Sequence, residues 1–254
     1  MKTVLITGAS SGIGMTFARA YARKGYRIIV CARREEKLKE LCRQLDTEYR
    51  IITADLSEEK QCFDLLEQLE NEDIDIFINN AGFGLAGSFL ETDLERELNM
   101  IRVNDIAMHI LFKEILRKMN KRGKGTILNV ASSAGLFPGG PYMAGYYASK
   151  AYVVSLTRAV VQELKETGSN VYVCALCPGP VNTEFNQNAD VVFTLKGISP
   201  EKCVEDCLRQ MEKHVTIIVP SVLMKAATSL SCLVPKSLLV AMTGMQQKRR
   251  VLTK

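Results

Sequence analysis

Histidine is scarce in this sequence, which has only His109 and His214 among its 254 residues. Eight cysteines are present, and Cys174 and Cys177 form a CxxC pair. A structural zinc site needs a second pair of ligands, and no histidine supports one here. We therefore expect no metal site, and we interpret the cysteines as small apolar residues of a protein in a reducing cytosol.

Signals for export and for membrane insertion are also missing. A short strand-like run follows Lys2 directly, without the cleavage pattern of a signal peptide. The most apolar late stretch, residues 222–245, is interrupted by Lys225, Pro235 and Lys236, whereas a membrane span needs roughly 20 uninterrupted apolar residues. We expect a cytoplasmic protein without a membrane-spanning helix.

A strong excess of one charge is likewise absent. The net charge of +5 is mild and spread along the chain, with one basic cluster at residues 248–250, and a basic tail more often keeps a protein soluble than grips a polyanion. The hydrophobic fraction of 47% is that of an ordinary globular protein. These values exclude global disorder and predict no nucleic-acid partner.

What the sequence does contain is a regular alternation of short apolar runs and amphipathic segments. The runs typical of buried strands are residues 3–6, 26–31, 49–53, 74–78, 126–130, 170–176 and 215–219. Helical periodicity fits residues 12–24, 35–45, a segment capped by Ser57, 93–121, 146–166 and 200–213. Such alternation indicates βαβ units with right-handed crossovers. We predict an α/β fold with a doubly wound parallel sheet of about seven strands and helices on both faces.

No internal repeat or linker divides the chain, so we predict a single domain over residues 1–254. The regular pattern weakens after Pro178. We expect residues 182–214 to form a substrate loop region, and residues 222–247 to form C-terminal helices that are split at Pro235.

The first predicted strand runs directly into the glycine-rich segment TGASSGIG, residues 7–14. Glycines allow a sharp turn and a close backbone approach to a pyrophosphate, and the following helix offers free N–H groups at the positive end of its dipole. A glycine-rich turn between a first strand and a helix is therefore typical of a dinucleotide site. The candidate phosphate-binding residues are Gly8, Ser10, Ser11, Gly12, Ile13 and Gly14.

Further motifs follow this turn in order along the chain. They are Asp55-Leu56 after the third strand, Asn79-Asn80-Ala81-Gly82 at the fourth, Asn104 on the long helix, Ser133 after the fifth strand, Tyr146 and Lys150 as YxxxK, and Pro178-Gly179 after the sixth strand. Together with the TGxxxGxG spacing, they resemble the short-chain dehydrogenase/reductase family, in its single-domain subgroup of about 250 residues. The resemblance extends from residue 1 to about residue 185, and it implies a Rossmann fold and a nicotinamide-dependent oxidoreductase that interconverts a carbonyl and an alcohol.

The end of the second strand distinguishes NAD from NADP. An acidic residue there would bond the ribose hydroxyls of NAD, but the sequence reads Cys31-Ala32-Arg33-Arg34. Because arginine suits a phosphate through charge and paired hydrogen bonds, we expect NADP(H) rather than NAD(H). Arg33 is the stronger candidate for the 2′-phosphate, while Arg34 would stack on the adenine or point outward.

The resemblance implies further cofactor contacts. Asp55 would meet the adenine amino group, and Leu56 would meet the edge of its ring. Val181 and Thr183 would contact the carboxamide and diphosphate side of the cofactor. The remaining residues at matching positions are Asn80, Ala81, Gly82, Pro178 and Gly179.

Hydride transfer to a carbonyl leaves an oxygen that must receive a proton. Tyr146 and Lys150 are spaced to share one helix face, so the lysine charge would lower the pKa of the tyrosine. The rival Tyr147 lacks a lysine four residues later. Ser133 precedes Tyr146 by thirteen residues, and its competitor Ser132 would point to the opposite side of an extended segment.

By resemblance, Tyr146 would be the general acid or base, and Lys150 would also hold the nicotinamide ribose. Ser133 would orient the substrate oxygen, and Asn104 would hold a water that relays protons to Lys150. Four such residues at matching positions favour an enzyme over the alternative, a non-catalytic NADP-binding sensor or scaffold on the same fold.

The loops that would border a substrate carry mostly apolar residues. They are Phe83, Leu85, Leu90, Leu136, Phe137, Tyr142, Met143, Val191, Val192, Phe193 and Leu195. No arginine lies among them to bind a carboxylate or a phosphate. We therefore expect a lipophilic ketone or aldehyde as substrate; alternatively, the same residues pack a lid against the core.

The family commonly pairs subunits through two long central helices, here residues 93–121 and 146–166, so the resemblance implies a homodimer or homotetramer. The apolar C-terminal helices beside the basic tail have two interpretations. They form an oligomer interface, which needs fewer assumptions, or they contact a membrane surface peripherally.

Overall fold

The computed structural model describes residues 1–184 and 197–251. Its sheet contains β1 (Thr3–Thr7), β2 (Arg27–Ala32), β3 (Tyr49–Thr53), β4 (Ile76–Asn79), β5 (Gly125–Val130), β6 (Val171–Leu176) and β7 (Ile217–Ile218). The helices are α1 (Gly12–Arg23), α2 (Glu35–Cys42), α3 (Glu59–Gln68), α4 (Leu94–Ile101), α5 (Met108–Arg122), α6 (Ala144–Glu166), α7 (Pro200–Met211), α8 (Val222–Leu230) and α9 (Lys236–Val251).

The strands are ordered β3-β2-β1-β4-β5-β6-β7, and all neighbouring pairs are parallel. The chain therefore builds outward from β1 in one direction and then, starting with β4, in the other. The order reverses between β1 and β4, where Ile6 lies opposite both Val30 of β2 and Ile78 of β4. At such a reversal the loops after neighbouring strands diverge and open a crevice. The predicted doubly wound Rossmann sheet is confirmed.

Two apolar cores lie on opposite faces of the sheet, because neighbouring residues of a strand point to opposite sides. In β1, Val4 and Ile6 belong to the core that includes residues of α1, α2 and α7, whereas Leu5 belongs to the core that includes residues of α3, α5 and α6. All five residues of β1 are buried, as expected for a central strand that is covered on both faces. The prediction of helices on both faces is therefore confirmed.

The long helix predicted over residues 93–121 is divided in the structure. α4 begins after Asp93, whose carboxylate accepts a hydrogen bond from the Arg96 N–H at 2.9 Å. A π-helical turn, Arg102–Ala107, then separates α4 from α5. Asn104 lies in this turn and is buried. Short π-helical segments inside α-helices occur frequently at functional sites.

The prediction that Ser57 caps α3 is wrong. The N-cap residue is Glu58, and no side chain caps this end of the helix. The Ser57 hydroxyl donates instead to the Asp55 carboxylate at 2.8 Å, and the Ser57 N–H donates to the same oxygen at 3.0 Å. Because aspartate readily forms such a local turn, this serine stabilises the loop after β3 rather than the helix.

The last strand is shorter than the predicted residues 215–219. β7 contains only Ile217 and Ile218, which pair with Ala175 and Leu176 of β6. β7 is the last strand of the sheet, so it can form hydrogen bonds with β6 only. As predicted, the two C-terminal helices are separated at Pro235.

Within residues 1–184 and 197–251, no helix has the length and apolar character needed to cross a bilayer. No group of histidine, cysteine and carboxylate side chains in these ranges could hold a metal ion. The seven cysteines whose side chains are described are buried and unbridged. Burial raises the pKa of the Cys31 thiol, for example, to about 12, so such thiols are held protonated and unreactive.

Candidate active site

The glycine-rich turn after β1 brings backbone segments closer together than side chains would allow. Gly8 and Gly12 have positive φ angles of 64° and 54°, which glycine adopts readily. A Cβ atom on Gly14 would lie 2.5 Å from the Gly8 carbonyl oxygen, and one on Gly8 would lie 2.8 Å from Asn80 Nδ2. Both contacts are too short for real atoms, so these positions accept only glycine.

Hydrogen bonds join this turn to the loop after β4. Asn80 Nδ2 donates to the carbonyl oxygens of Thr7 and Gly8 at 2.8 and 3.2 Å. Thr7 Oγ1 accepts the N–H groups of Asn80 and Ala81 at 3.0 and 3.1 Å. Asn80, predicted as a cofactor residue, therefore holds the glycine-rich turn against its neighbouring loop.

Helix α1 begins directly after this turn, and no side chain caps its N-terminus. Ser11 is the N-cap residue in an extended conformation, and its hydroxyl forms no capping hydrogen bond. The first N–H groups of a helix have no intrahelical acceptor and attract anions. Ser11, Gly12 and Ile13 line the same cavity as Tyr146. The turn and the helix end therefore fit the pyrophosphate of a dinucleotide.

Arg34, rather than Arg33, lies against the glycine-rich turn. Arg34 Nε and Nη2 donate to Ser10 Oγ at 3.3 and 3.2 Å, and Nη1 donates to Glu184 at 3.0 Å. The Arg33 side chain is 60% exposed and reaches Asp55 at 3.8 Å. Of the two predicted arginines, Arg34 is therefore the one whose hydrogen bonds hold it toward the turn.

Tyr146, Lys150 and Ser132 come together in the same cavity. Lys150 Nζ lies 5.9 Å from the centre of the Tyr146 ring and donates to the Val130 carbonyl oxygen at 3.1 Å. The Ser132 side chain lies close enough to the Tyr146 hydroxyl to act on its pKa. The tyrosine and lysine of the YxxxK motif thus meet at the end of β5, as their spacing predicts.

Burial shifts the pKa values of the tyrosine and the lysine in opposite directions. It raises the pKa of Tyr146 to about 12, although the hydrogen bond with Ser132 acts to lower it. It lowers the pKa of Lys150 to about 8, while the charge of Asp105 acts to raise it. The pKa of Tyr146 is therefore raised, where the sequence predicts a lowering by Lys150, because burial disfavours the charged phenolate.

Both neighbouring serines line the cavity. The expectation that Ser132 points away from the site is wrong, because a 3₁₀ turn begins at Ser133 and ends the alternation of an extended strand. Ser132 Oγ also accepts the Ala134 N–H at 3.1 Å. The Ser133 N–H donates to the Pro178 carbonyl oxygen at 2.8 Å. Of the two serines, Ser132 is the one whose side chain acts on the pKa of Tyr146.

Asn104 links the π-helical turn to the loop after β4. Its Oδ1 accepts the Phe83 N–H at 3.0 Å, and its Nδ2 donates to the Phe83 carbonyl oxygen at 2.9 Å and to Ser149 Oγ at 3.1 Å. A Cβ atom on Gly82 would lie 2.9 Å from Asn104 Oδ1 and 3.2 Å from Lys150 Nζ. The Asn104 amide thus positions the backbone directly beside Lys150.

The loop after β6 returns to the glycine-rich turn. Val181 is buried and pairs with Ile198 in a parallel bridge. A Cβ atom on Gly12 would lie 3.1 Å from Thr183 Cγ2. The predicted cofactor residues Pro178, Gly179, Val181 and Thr183 all line the cavity.

One cavity of about 440 Å³ contains the glycine-rich turn, the tyrosine and the loop after β6. Of the predicted apolar wall residues, Phe83, Phe137 and Met143 line it. Leu85 is buried in a cluster with Met143 and Tyr146, whereas Leu90 is 94% exposed. The predicted wall residues Val191, Val192, Phe193 and Leu195 lie outside the described residues.

The C-terminal helices supply wall residues that sequence reasoning missed. They are Met224, Ala227, Leu239, Met242, Thr243, Gln246 and Gln247. Gln247 Nε2 donates to the Tyr147 hydroxyl at 3.1 Å, and a Cβ atom on Gly179 would lie 2.8 Å from Met224 Cγ. The apolar character of residues 222–247 is the only sequence signal for this role, because no spacing rule connects them to Tyr146.

A parallel sheet that reverses its order beside a glycine-rich turn, with a buried tyrosine and lysine in the same cavity, defines a dinucleotide-dependent oxidoreductase. The family model for short chain dehydrogenase matches residues 2–191. The chain therefore belongs to the short-chain dehydrogenase family, and it is an enzyme with a site for a nicotinamide dinucleotide.

Known relatives agree with this assignment. A 3-oxoacyl-(acyl-carrier-protein) reductase of Rickettsia prowazekii is 35% identical over 187 residues, which are 72% of this chain and 74% of that protein. The structure of a short-chain dehydrogenase from Sphingobium yanoikuyae in complex with NADPH has 29% identity and a TM-score of 0.81, covering 93% of this chain and 98% of that one. The structure of a short-chain dehydrogenase/reductase from Burkholderia phymatum in complex with NAD has 25% identity and a TM-score of 0.82. The match covers 90% of this chain and 92% of that one. The two structures hold different cofactors, so the likeness supports a nicotinamide dinucleotide of either kind.

Replacing Lys150 by methionine should change how stability depends on pH. Between about pH 8 and about pH 10.5 the unfolded lysine holds a proton that the folded one has lost, so this group favours folding more as the pH rises. We expect the free energy of unfolding of the wild type, minus that of Lys150→Met, to increase by about 3 kcal/mol across this range. Urea unfolding at a series of pH values measures it.

The exposed Lys124 provides the control. Lys124→Met makes the same substitution at an exposed position, and its effect is measured over the same pH series. If the difference in free energy of unfolding between the wild type and Lys150→Met stayed constant over this pH range, the lowered pKa of Lys150 would be contradicted.

Proposed function

We propose that this enzyme is an NADP(H)-dependent reductase of lipophilic ketones or aldehydes, with Tyr146 as the general acid and base. The observation that carries the proposal is that the glycine-rich turn, the Tyr146 hydroxyl and an apolar wall from α8 and α9 line one cavity. A phosphate at the turn and a carbonyl at Tyr146 would share that cavity, as hydride transfer requires.

Bound NADP(H) would supply the hydride in reduction and accept it in oxidation. The Tyr146 hydroxyl donates a proton to the carbonyl oxygen during reduction and takes it back in the reverse direction. Ser132 donates a hydrogen bond to the same oxygen. Lys150, held at the Val130 carbonyl oxygen, stabilises the tyrosinate that remains after the proton has left.

Asn104 contributes by position in this proposal. Its side-chain amide is engaged with Phe83 and Ser149, so it keeps the backbone beside Lys150 in place. We assign the relay water near Lys150 to the main-chain carbonyl of Asn104, since the side chain already has its partners.

Arginine at the end of β2 supports NADP(H) over NAD(H). Arg34 is held at Ser10 of the glycine-rich turn, and Arg33 lies beside Asp55. No acidic residue occupies the tip of β2 to repel a 2′-phosphate. Glu184 pairs with Arg34, and a 2′-phosphate would replace this carboxylate as the partner of the guanidinium.

The walls of the cavity support a lipophilic substrate. Lys150 is the only lysine, arginine, aspartate or glutamate among the described residues that line it, and we assign this lysine to catalysis. A substrate carboxylate or phosphate would therefore lack a charged partner. The Rickettsia relative is named a 3-oxoacyl reductase, and a ketone on an acyl chain belongs to the substrate class proposed here.

We further propose that the enzyme is a cytoplasmic homo-oligomer that pairs through α5 and α6. A groove along these two helices is lined by apolar and polar residues together, namely His109, Phe112, Lys113, Leu116, Arg117, Asn120, Leu156, Val160, Glu163, Leu164 and Thr167. Apolar side chains in a surface groove favour a contact with another copy of the chain.

Tyr146→Phe should abolish turnover while leaving the cavity intact. We expect the kcat for NADPH-dependent reduction of aliphatic, aromatic or steroid-like ketones to fall about 10²- to 10⁴-fold, because the proton donor is removed. NADPH absorbance measures turnover, and NADPH fluorescence measures binding, which should persist. Tyr147→Phe is the matched control, since Tyr147 lines the same cavity.

Equal losses in the two tyrosine variants would show that the assignment to Tyr146 is mistaken. Tight NADPH binding without wild-type turnover on any ketone of the panel would instead contradict the proposed substrate class.

Ser132→Ala and Ser133→Ala separate the two candidate serines. We expect Ser132→Ala to lower kcat about 10- to 100-fold, and to move the pH profile of kcat/KM to higher pH, because its hydrogen bond lowers the pKa of Tyr146. Ser133→Ala should leave the pH profile in place. A larger effect of Ser133→Ala than of Ser132→Ala would assign the orientation of the substrate oxygen to Ser133.

Arg34→Ala and Arg33→Ala test which arginine reads the 2′-phosphate. We expect Arg34→Ala to raise the KM for NADPH about tenfold, the effect of one lost charge-assisted hydrogen bond, with little change in the KM for NADH. Arg33→Ala should have a smaller effect. A larger effect of Arg33→Ala would support Arg33 as the partner of the 2′-phosphate, as the sequence predicts. No effect of either substitution would contradict the selection of NADP(H) by the end of β2.

A further inference from the structure

The distribution of charge along the chain is more uneven than the net value of +5 indicates. All 28 acidic residues lie in residues 1–212, together with 26 of the 33 basic ones. Residues 213–254 contain seven basic residues and no acidic residue. The whole positive excess of the protein therefore comes from the segment that contains α8 and α9.

The same segment exposes large apolar side chains. None of the nine residues of α8 is buried. The exposed apolar residues of the segment, here called the C-terminal apolar face, are Val222, Leu223, Leu230, Leu233, Leu238, Met242 and Met245. Val222 and Leu233 are 85% and 82% exposed, although a soluble domain normally buries such side chains.

These residues follow helical spacing, so they form stripes rather than scattered points. Leu223 and Leu230 are two turns apart on α8, and Leu238, Met242 and Met245 recur at intervals of four and three residues on α9. Exposed lysines lie on the same two helices, at Lys225, Lys236 and Lys248, and Lys248 follows Met245 of the α9 stripe by three residues.

We propose that the C-terminal apolar face binds peripherally to the surface of an anionic lipid bilayer. Exposed apolar side chains on helices whose charged residues are all basic are typical of a segment that lies in the membrane interface, with apolar side chains at the acyl boundary and basic ones at anionic headgroups. The helices lie on the surface without crossing it, as their interrupted apolar sequence requires.

A second copy of the chain fits this surface less well. A twofold contact places the same patch of each subunit against itself, so the lysines of one copy would face those of the other. No acidic residue occurs in residues 213–254 to neutralise them, and buried like charges oppose association. A bilayer with anionic headgroups satisfies the apolar and the basic residues together.

The two helices also form the wall of the cavity, through Met224, Ala227 and Leu239. For the reductase proposed above, this arrangement puts the substrate cavity next to the lipid phase in which a lipophilic ketone dissolves. Only this functional consequence depends on the proposed reaction; the binding to lipid does not.

Vesicle sedimentation tests the proposal with the full chain. We expect the wild type to bind vesicles of phosphatidylcholine with phosphatidylglycerol, to bind pure phosphatidylcholine weakly, and to dissociate at high salt. Leu223→Glu with Leu233→Glu should lower the bound fraction at least about tenfold, because carboxylates would have to enter the acyl boundary. Lys225→Glu with Lys236→Glu should remove the preference for phosphatidylglycerol.

Phe63→Glu is the matched control, since Phe63 is 53% exposed on α3 and lies outside the C-terminal apolar face. Thermal melting and NADPH binding show that each variant remains folded, so loss of vesicle binding is distinguishable from loss of structure and from failure of the ketone assay. The proposal is overturned if the wild type ignores both kinds of vesicle. It is also overturned if light scattering shows that the leucine variant only reduces the size of an oligomer.

Discussion

The contact between the turn after β1 and the loop after β4 is the constraint on which the site depends. Thr7 and Asn80 hold the two segments together with four hydrogen bonds, and Gly8 and Gly14 remove the side chains that would keep them apart. Because β1 and β4 flank the reversal of strand order, this contact lies at the base of the crevice. The N-terminus of α1 is thereby aimed into the cavity that also contains Tyr146.

Desolvation governs the chemistry at the other end of the cavity. Tyr146 and Lys150 are both buried, and burial favours the neutral form of each. In the proposed reaction, the neutral tyrosine keeps its proton until an acceptor oxygen arrives, and the lysine, whose pKa burial lowers to about 8, responds to the charge that proton transfer creates. The hydrogen bond from Lys150 to the Val130 carbonyl oxygen holds the lysine in place, so the proposed reaction would need little reorganisation there.

The C-terminal helices present apolar side chains to two environments. Leu239 turns toward the cavity, while Leu238 next to it is exposed, because consecutive residues of a helix point about 100° apart. An amphipathic helix normally has one apolar face against the core and one polar face in water. α8 and α9 depart from that pattern, and their outer surface is both apolar and basic. A lipid surface is the partner that accounts for both properties.

The sequence alone determined the fold and the class of enzyme. Alternating apolar runs predict the parallel sheet, and the TGxxxGxG turn, the YxxxK pair and the paired arginines each depend on residues that are close in the chain. Local spacing is enough to place such groups on one turn or one helix face. The family match confirms the class of enzyme that these motifs indicate.

Tertiary structure decided what depends on distant segments and on burial. The 3₁₀ turn that begins at Ser133 places the Ser132 side chain near Tyr146. Ser10, on the glycine-rich turn after β1, accepts a hydrogen bond from Arg34 rather than from Arg33. The wall from α8 and α9 lies some 80 to 100 residues beyond Tyr146 in the chain, so no periodicity connects them. The direction of the pKa shifts depends on how many neighbours exclude water from a group, and only the packed chain specifies that number.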